Sequence, residues 1–556
     1  MFTSHHSVWP KNLALNLDFP ETSLYYNLQV SATRYPRKTA IIYYGRQISY
    51  AELKQQVDAL AGFLQQKLDV ARGERVLLDM QNSPQFIIAY YAILRADAMV
   101  VPVNPMNLTA ELHHYIEDAQ TRVAICGEEV YACMSPLLGA GLEHAIVATY
   151  SDYIDPACTV ALPEVLQAPR ATIHHAQTTR WRDALGAQCV PRPHLAGADD
   201  LCVMPYTSGT TGKPKGCTHT HATVMSTVVI GSAWFGGTPE SVVLATLPYF
   251  HVTGMQGSMN TPIFNGATVV LMTRWDRDTA ARLIQDHGVT SWTNISTMAI
   301  DFLANPGLDR YDLSSLRRIG GGGAAMPEAV AQRLNDLTGL DYIEGYGQTE
   351  TIAPTHINPP ERPKKQCLGI PVNNTDARVI DPETLRELGA GEIGEIVSCG
   401  PQIFKGYWNN PEANQACFIE IDGKRFFRTG DLGRYDEEGY FFIVDRLKRM
   451  INAAGFKVWP AEVEAIMYHH PDIQEACVIA ARDRNRGETV KVIVVPKASS
   501  KNSLSAEQVI DWCRANMAAY KVPRLVDFAE TLPKSATGKV QWRLLQEKEM
   551  AASNDT

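Results

Sequence analysis

Short apolar runs recur along the chain, interleaved with longer amphipathic stretches, and this alternation restricts the fold more than any other feature. ERVLLDM (74–80), TRVAICG (121–127), HAIVATY (144–150) and ATVVLMT (267–273) have strand length, whereas AELKQQVDALAGFLQQKL (51–68) has helical spacing. Repeated βα units predict an α/β architecture. Ser49 and Glu52 stand three residues apart, the spacing of a capping box, so a helix begins there. The apolar run FIIAYYAIL (86–94) ends at Arg95 and is too short to cross a bilayer. With Ser83 as cap and Pro84 in the first position, it reads as a buried helix.

A chain of 556 residues exceeds what one hydrophobic core supports, so at least two domains are expected. From about Gly389 the texture changes to glycine-punctuated strands, GEIGEIVSCG and KRFFRTGDLGRYDEEGYFFIVD. Turns at Gly391, Gly394, Gly423 and Gly439 predict an antiparallel sheet closing a large domain. Pro460 then opens a helix, and ACVIAARD, TVKVIVVPK and SAEQVIDWCRANM supply strands and a helix for a small α+β domain. The domains expected are 1–446 and 447–556.

The net charge of -9 offers no basic footprint for a nucleic acid, and no Lys/Arg run suggests an anionic membrane as partner. The start, MFTSHHSVWPKN, lacks a positive leader and an apolar core, so a cytoplasmic chain is expected. Eleven cysteines, among them Cys126, Cys202, Cys217 and Cys399, are scattered without a CxxC pair. Neither a disulfide framework nor a structural zinc site is expected.

YTSGTTGKPKG (206–216) packs three glycines, four aliphatic hydroxyls and two lysines into eleven residues. Glycines let backbone N–H groups approach an anion, and hydroxyls and lysines add donors and charge, so phosphate is the expected ligand. The preceding DLCVMPY reads as a strand and the following THATVMSTVVIG as a helix, which places the loop beyond a strand's carboxyl end. It is not a Walker A loop: two residues separate Gly209 from Gly212, and Pro214 follows Lys213.

The stretch resembles the phosphate-binding signature of the adenylate-forming (AMP-binding) enzymes, the superfamily of acyl-CoA synthetases, luciferases and peptide-synthetase adenylation domains. GGGAAMPE (321–328), EGYGQTE (344–350), RTGDLG (428–433), DRLKRMI (445–451) and KSATGKVQWR (534–543) follow in the superfamily's order and, with the loop, span most of the chain. The resemblance implies a large N-terminal domain of two βαβ-type sheets plus a distorted antiparallel barrel, followed by a small mobile α+β domain. It implies that Thr207, Ser208, Gly209, Thr210, Thr211 and Lys215 close on the β- and γ-phosphates of ATP, with Thr207 and Glu350 near Mg²⁺ and Thr349 beside them. Tyr346 would offer a face to adenine, with Gly322, Gly323, Gly345, Gly347 and Gln348 around it. Asp431 resembles the carboxylate that grips the ribose hydroxyls, and Arg446 joins it there or at phosphate.

Lys539 matches the lysine that relatives bring to the substrate carboxylate and α-phosphate. It lies in the small domain, so catalysis requires domain closure. Lys448 occupies the pivot about which relatives rotate to a second state that admits the thiol of coenzyme A, and Ala454, Gly455 and Phe456 would then line its tunnel. Several relatives carry lysine where this chain has Asn452, so a cation there does not carry over.

By the same resemblance the acyl pocket is built from His251, Thr253, Gly254, Thr297, Met298, Ile300 and the backbone at Gly321. His251 follows Phe250 where peptide-synthetase domains place an aspartate, which disfavours amino acids. Gly347 stands where acetate-activating members carry tryptophan, so a longer chain is accommodated. No charged partner for a second carboxylate is evident, which disfavours malonate. An acid:CoA ligase for medium- or long-chain fatty acids is expected. The alternatives are an aryl-acid (coumarate-type) CoA ligase, acyl transfer to the pantetheine of a separate carrier protein, or a nucleotide-binding sensor without chemistry. Chain length, oligomeric state, with a dimer entertained, and loose membrane association are left open by the residues.

Overall fold

The computed structural model describes residues 2–173, 175–207, 214–453, 456–483, 487–501, 503–534 and 540–552. The chain forms two compact units, one of Met1–Ala377, Ser398–Phe427 and Glu438–Tyr440, the other of Arg378–Val397, Arg428–Glu437 and Phe441–Thr556.

Two mixed sheets form the larger unit. In one, parallel strands Tyr342–Tyr346, Arg318–Gly322, Ser291–Asn294, Val242–Ala245, Thr268–Leu271 and Thr39–Tyr43 lie side by side, with antiparallel strands at both ends. In the other, Arg75–Asp79 is flanked by both strands that follow it, Met99–Pro102 and Val123–Gly127, so the chain reverses its winding there. Such a switch point opens a crevice at the carboxyl ends of the strands.

The largest core contains strand residues of both sheets, such as Ile41, Val76, Leu78 and Val269, together with the helices Tyr25–Arg34, Tyr50–Lys67 and Pro84–Arg95. Helices Arg277–His287 and Thr109–Ala119 cover the outer faces, giving helix–sheet–helix–sheet–helix layers. The helix Pro84–Arg95 is buried through Leu94 because it is apolar all round, and the Ser83 hydroxyl accepts the Phe86 N–H at 3.2 Å. Among the described residues no helix is long and apolar enough to cross a membrane. Half of the expected capping box forms: Ser49 accepts the Glu52 N–H at 3.1 Å, but the Glu52 carboxylate turns to Arg46 and Gln56. All eleven cysteines are free thiols.

In the smaller unit the antiparallel strands Ile473–Asp483 and Gly487–Pro496 are central. Ala476, Val478 and Ala480 face one core with the helices Pro460–Met467 and Ala506–Asn516, and Cys477 and Ile479 face another with Trp542. Both faces are buried, which is why ACVIAA is an unbroken apolar run. Gly391, Gly423 and Gly439 have positive φ, as turns require, but Gly394 opens the strand Gly394–Cys399, where a Cβ would lie 2.3 Å from the Ile380 carbonyl oxygen. The expected turn at Gly394 is therefore corrected to a close strand contact. The α/β class is as expected.

Candidate functional site

The glycine–threonine loop is rooted in a hairpin. Strand Tyr206–Thr207 pairs antiparallel with Lys215–Thr220, opposing Thr207 to Lys215 and Tyr206 to Gly216. The helix expected after the loop, His221–Phe235, follows this extra strand. Ser208, Gly209, Thr210 and Thr211, with Gly212 and Lys213, lie outside the described residues. The root is held firmly: the Tyr206 hydroxyl donates to Asp118 Oδ2 at 2.6 Å, and its ring meets Tyr115 edge-on at 4.7 Å. Burial, then the hydrogen bond to Asp118 and its charge, push the Tyr206 phenol up and keep it a donor.

The strand Gly406–Tyr407 pairs with the other edge of Lys215–Thr220, setting Tyr407 opposite Cys217. The Lys215 ammonium lies 5.0 Å from the centre of the Tyr407 ring, and the Tyr407 hydroxyl donates to Glu350 Oε1 at 2.8 Å. Glu350 is buried in the 3₁₀ turn Thr349–Thr351. Two contacts fix that turn: the Phe404 N–H donates to the Glu350 carbonyl at 2.9 Å, and His219 Nε2 donates to the Thr349 carbonyl at 2.9 Å. Burial lowers the His219 pKa to about 4, so the ring is neutral at physiological pH, with its proton on Nε2. Thr207 and Lys215 are thus brought together by strand pairing, and Thr349 and Glu350 are tied to the same strands through Tyr407, Phe404 and His219.

The glycines of GGGAAMPE do a different job from the one their sequence suggests. Gly321 and Gly322 belong to the strand Arg318–Gly322, where a Cβ would fall 1.8 Å from the Asn294 carbonyl oxygen and 2.3 Å from that of Gly345. Strand packing demands them, and only at Gly323 does φ turn positive. Tyr346 ends the neighbouring strand, nearly buried, with its hydroxyl accepting from Gln348 Nε2 at 3.3 Å. Gly347 follows directly, and a Cβ on it would lie 2.9 Å from the Cα atoms of Ala353 and Pro354.

His251 precedes the helix Val252–Met255 and accepts the Thr253 N–H on Nδ1 at 3.4 Å; Gly254 is buried against the Pro248 carbonyl. Thr297 is exposed and Met298 half-buried on the helix Ser296–Leu303, where Ile300 is 47% exposed. A Cβ on Gly257 would lie 3.7 Å from Thr293 Oγ1, which sets the helical segment after His251 against the strand leading to Thr297.

In the smaller unit, Asp431 and Arg446 face each other across paired strands, with Arg446 Nε 2.8 Å from the buried Asp431 Oδ1. Lys448 lies in the 3₁₀ turn Leu447–Arg449, and Phe456 opens the strand Phe456–Val458. Ala454, Gly455 and Lys539 lie outside the described residues.

A family model described as AMP-binding enzyme matches residues 28–408, and its companion, the AMP-binding enzyme C-terminal domain, matches 462–539. The chain belongs to the AMP-binding enzyme family. This AMP-binding enzyme is similar to the long-chain-fatty-acid–CoA ligase of Bacillus subtilis (strain 168), 34% identical over 97% of each chain. It is also similar to that of Escherichia coli O157:H7, 31% identical over 93% of each. Feruloyl-CoA synthase of an Amycolatopsis species is 31% identical over 91% of this chain and 94% of its own. Among solved structures, ATP-bound MatB from Rhodopseudomonas palustris matches with a TM-score of 0.82 at 27% identity, over 95% of this chain and 99% of its own.

Three residues of the candidate site escaped sequence reasoning: Tyr407, Phe404 and His219. The strand Lys215–Thr220 is buried on both faces beyond Lys215, so no alternation marks His219. Tyr407 stands in an ordinary GYWNN turn-like stretch, and only pairing with Cys217 reveals its direction.

Proposed function

We propose that this AMP-binding enzyme is an AMP-forming acid:CoA ligase. It activates a medium- or long-chain fatty acid to an acyl-adenylate with release of pyrophosphate, then passes the acyl group to the thiol of coenzyme A, giving acyl-CoA and AMP. The observation that carries this reading is the Lys215–Tyr407–Glu350 cluster at the root of the glycine–threonine loop. Joining a carboxylate to the α-phosphate brings two anions together, and fixed donors and cations in a partly dry site must offset their repulsion. The long-chain-fatty-acid–CoA ligases among its relatives support the acid class.

Thr207 and Glu350 fit a magnesium ion, since both offer hard oxygen donors and such an ion keeps few protein carboxylates when phosphate oxygens complete its shell. When bound, the ion would neutralise charge on the phosphates. Ser208, Gly209, Thr210, Thr211 and Lys215 hold the terminal phosphates in this reading. Tyr346 and the glycines Gly322, Gly323, Gly345 and Gly347 take the base, with Gln348 and Thr349 beside them, and Asp431 with Arg446 takes the ribose. Lys539 reaches the reacting carboxylate from a small domain, 447–556, that turns about Lys448, and Ala454, Gly455 and Phe456 then line the thiol path. His251, Thr253, Gly254, Thr297, Met298 and Gly321 border the acyl chain. A cytoplasmic location and a homodimer complete the proposal.

A panel of acids, assayed for pyrophosphate release with and without coenzyme A, tests it. Medium- and long-chain fatty acids should turn over fastest and yield acyl-CoA. The feruloyl-CoA synthase relative favours a second reading, and faster turnover of a hydroxycinnamate would select it. ADP as product would reject both.

A further inference from the structure

We infer that Tyr407 is a positioning residue for the phosphate half of the site, orienting the Glu350 carboxylate and seating the Lys215 ammonium. This rests on the reading of Glu350 as a magnesium ligand.

Tyr407 is held from three directions before its side chain does anything. Its backbone pairs with Cys217, its N–H donates to Asn414 Oδ1 at 2.6 Å, and its carbonyl accepts from Asn414 Nδ2 at 3.0 Å. Asn414 closes this fork because the preceding residue is Gly406, with φ of +152°, where a Cβ would come 2.7 Å from Asn414 Oδ1. The Tyr407 ring packs edge-on against buried Phe404, centres 4.9 Å apart. Phe404 in turn donates its N–H to the Glu350 carbonyl, so the segment 404–407 grips Glu350 at both backbone and carboxylate.

The charge arrangement gives this grip a direction. A carboxylate oxygen only accepts, so the Tyr407 hydroxyl, 2.8 Å from Glu350 Oε1, is the donor. A carboxylate that receives one fixed donor on Oε1 has its plane set, as second-sphere donors set metal-ligating carboxylates. On the opposite side the π-face of the same ring attracts the Lys215 ammonium, which sits directly across the hairpin from Thr207. One side chain therefore fixes the spacing between a phosphate-binding cation on a strand and a metal-binding anion on a turn far from it in the chain.

Two substitutions separate these contributions. Y407F keeps the ring and removes the hydroxyl, and Y407L removes both. Binding of Mn²⁺ is read by electron paramagnetic resonance with a non-hydrolysable ATP analogue present, and binding of the analogue without metal by calorimetry. Y407F should weaken Mn²⁺ about 10-fold or more while sparing metal-free analogue binding. Y407L should weaken both, because Lys215 loses its platform. E350Q controls the underlying reading: if it binds Mn²⁺ like the wild type, Glu350 is not the ligand. If E350Q weakens Mn²⁺ but Y407F, with unchanged thermal unfolding, does not, the inference about Tyr407 is overturned. Should Y407F be unstable, N414A loosens the Tyr407 backbone without touching Glu350. Weakened Mn²⁺ binding in N414A then supports the inference, and wild-type affinity overturns it.

Discussion

Asp79 shows how strongly a single residue can work against the fold that contains it. It ends the strand Arg75–Asp79, fully buried, and among the described residues neither carboxyl oxygen has a hydrogen-bond partner. Burial, then the charge of Glu129, raise its pKa well above the ordinary aspartate range. A raised acid pKa means that the native chain holds a proton which the unfolded chain releases. The penalty is absent below the unfolded value and grows as pH rises towards the folded one. Asp79→Leu should therefore stabilise the protein in alkaline buffer by about 1–3 kcal/mol. The gain should vanish below the ordinary carboxylate range, and chemical denaturation at the two pH extremes checks both halves of the statement. An equal gain at both would mean that the titration of Asp79 is not the cause. Glu350, by contrast, is buried with its partner supplied, and the two acids differ in what surrounds them rather than in depth.

At the scale of elements, the glycine run of the strand Arg318–Gly322 is a matter of strand spacing. A Cβ at Gly321 would strike the Asn294 carbonyl at 1.8 Å and the Tyr342 hydroxyl at 2.5 Å, and a carbonyl in the middle of a sheet cannot give way. Gly321→Ala should destabilise the protein by about 1–3 kcal/mol or abolish soluble expression. Gly186→Ala, on a helix with nothing within 4 Å of the added methyl, is the control and should unfold like the wild type. Equal midpoints for the two variants in denaturant would refute the packing account. The sequence placed these glycines within a motif, but their division between strand and turn depends on the two strands that flank them. Helix beginnings were legible for the opposite reason, since Ser83 and Phe86 are three residues apart and need no third element to meet.

At the scale of the whole molecule, the proposed reaction assigns its two halves to two arrangements of the smaller domain, with Lys539 present for the first half and withdrawn for the second. Lys539→Ala should slow adenylation by roughly 10²-fold, through loss of charge stabilisation at the first transition state. Thiolysis of supplied acyl-adenylate should be spared. Measuring the two half-reactions separately decides the matter, and equal loss in both would contradict a two-arrangement cycle. Within the smaller unit, Arg449 is bound to Glu464 and to the Val478 carbonyl, and Asp445 Oδ2 accepts the Ala461 N–H at 2.6 Å. The residues on either side of Lys448 are thus tied firmly, which leaves the turn Leu447–Arg449 between two anchored points.

The sequence by itself determined the α/β alternation, the buried helix at Pro84–Arg95, the helix beginnings and the ordered motifs, because each is written in residues a few positions apart. Tertiary structure alone decided how the site is braced. Tyr407 and Glu350 are 57 residues apart, and His219 and Thr349 are 130 apart. Their meeting depends on the strand Lys215–Thr220 being paired along both edges, and a strand buried on both faces carries no periodic mark of which side chain will face the ligand.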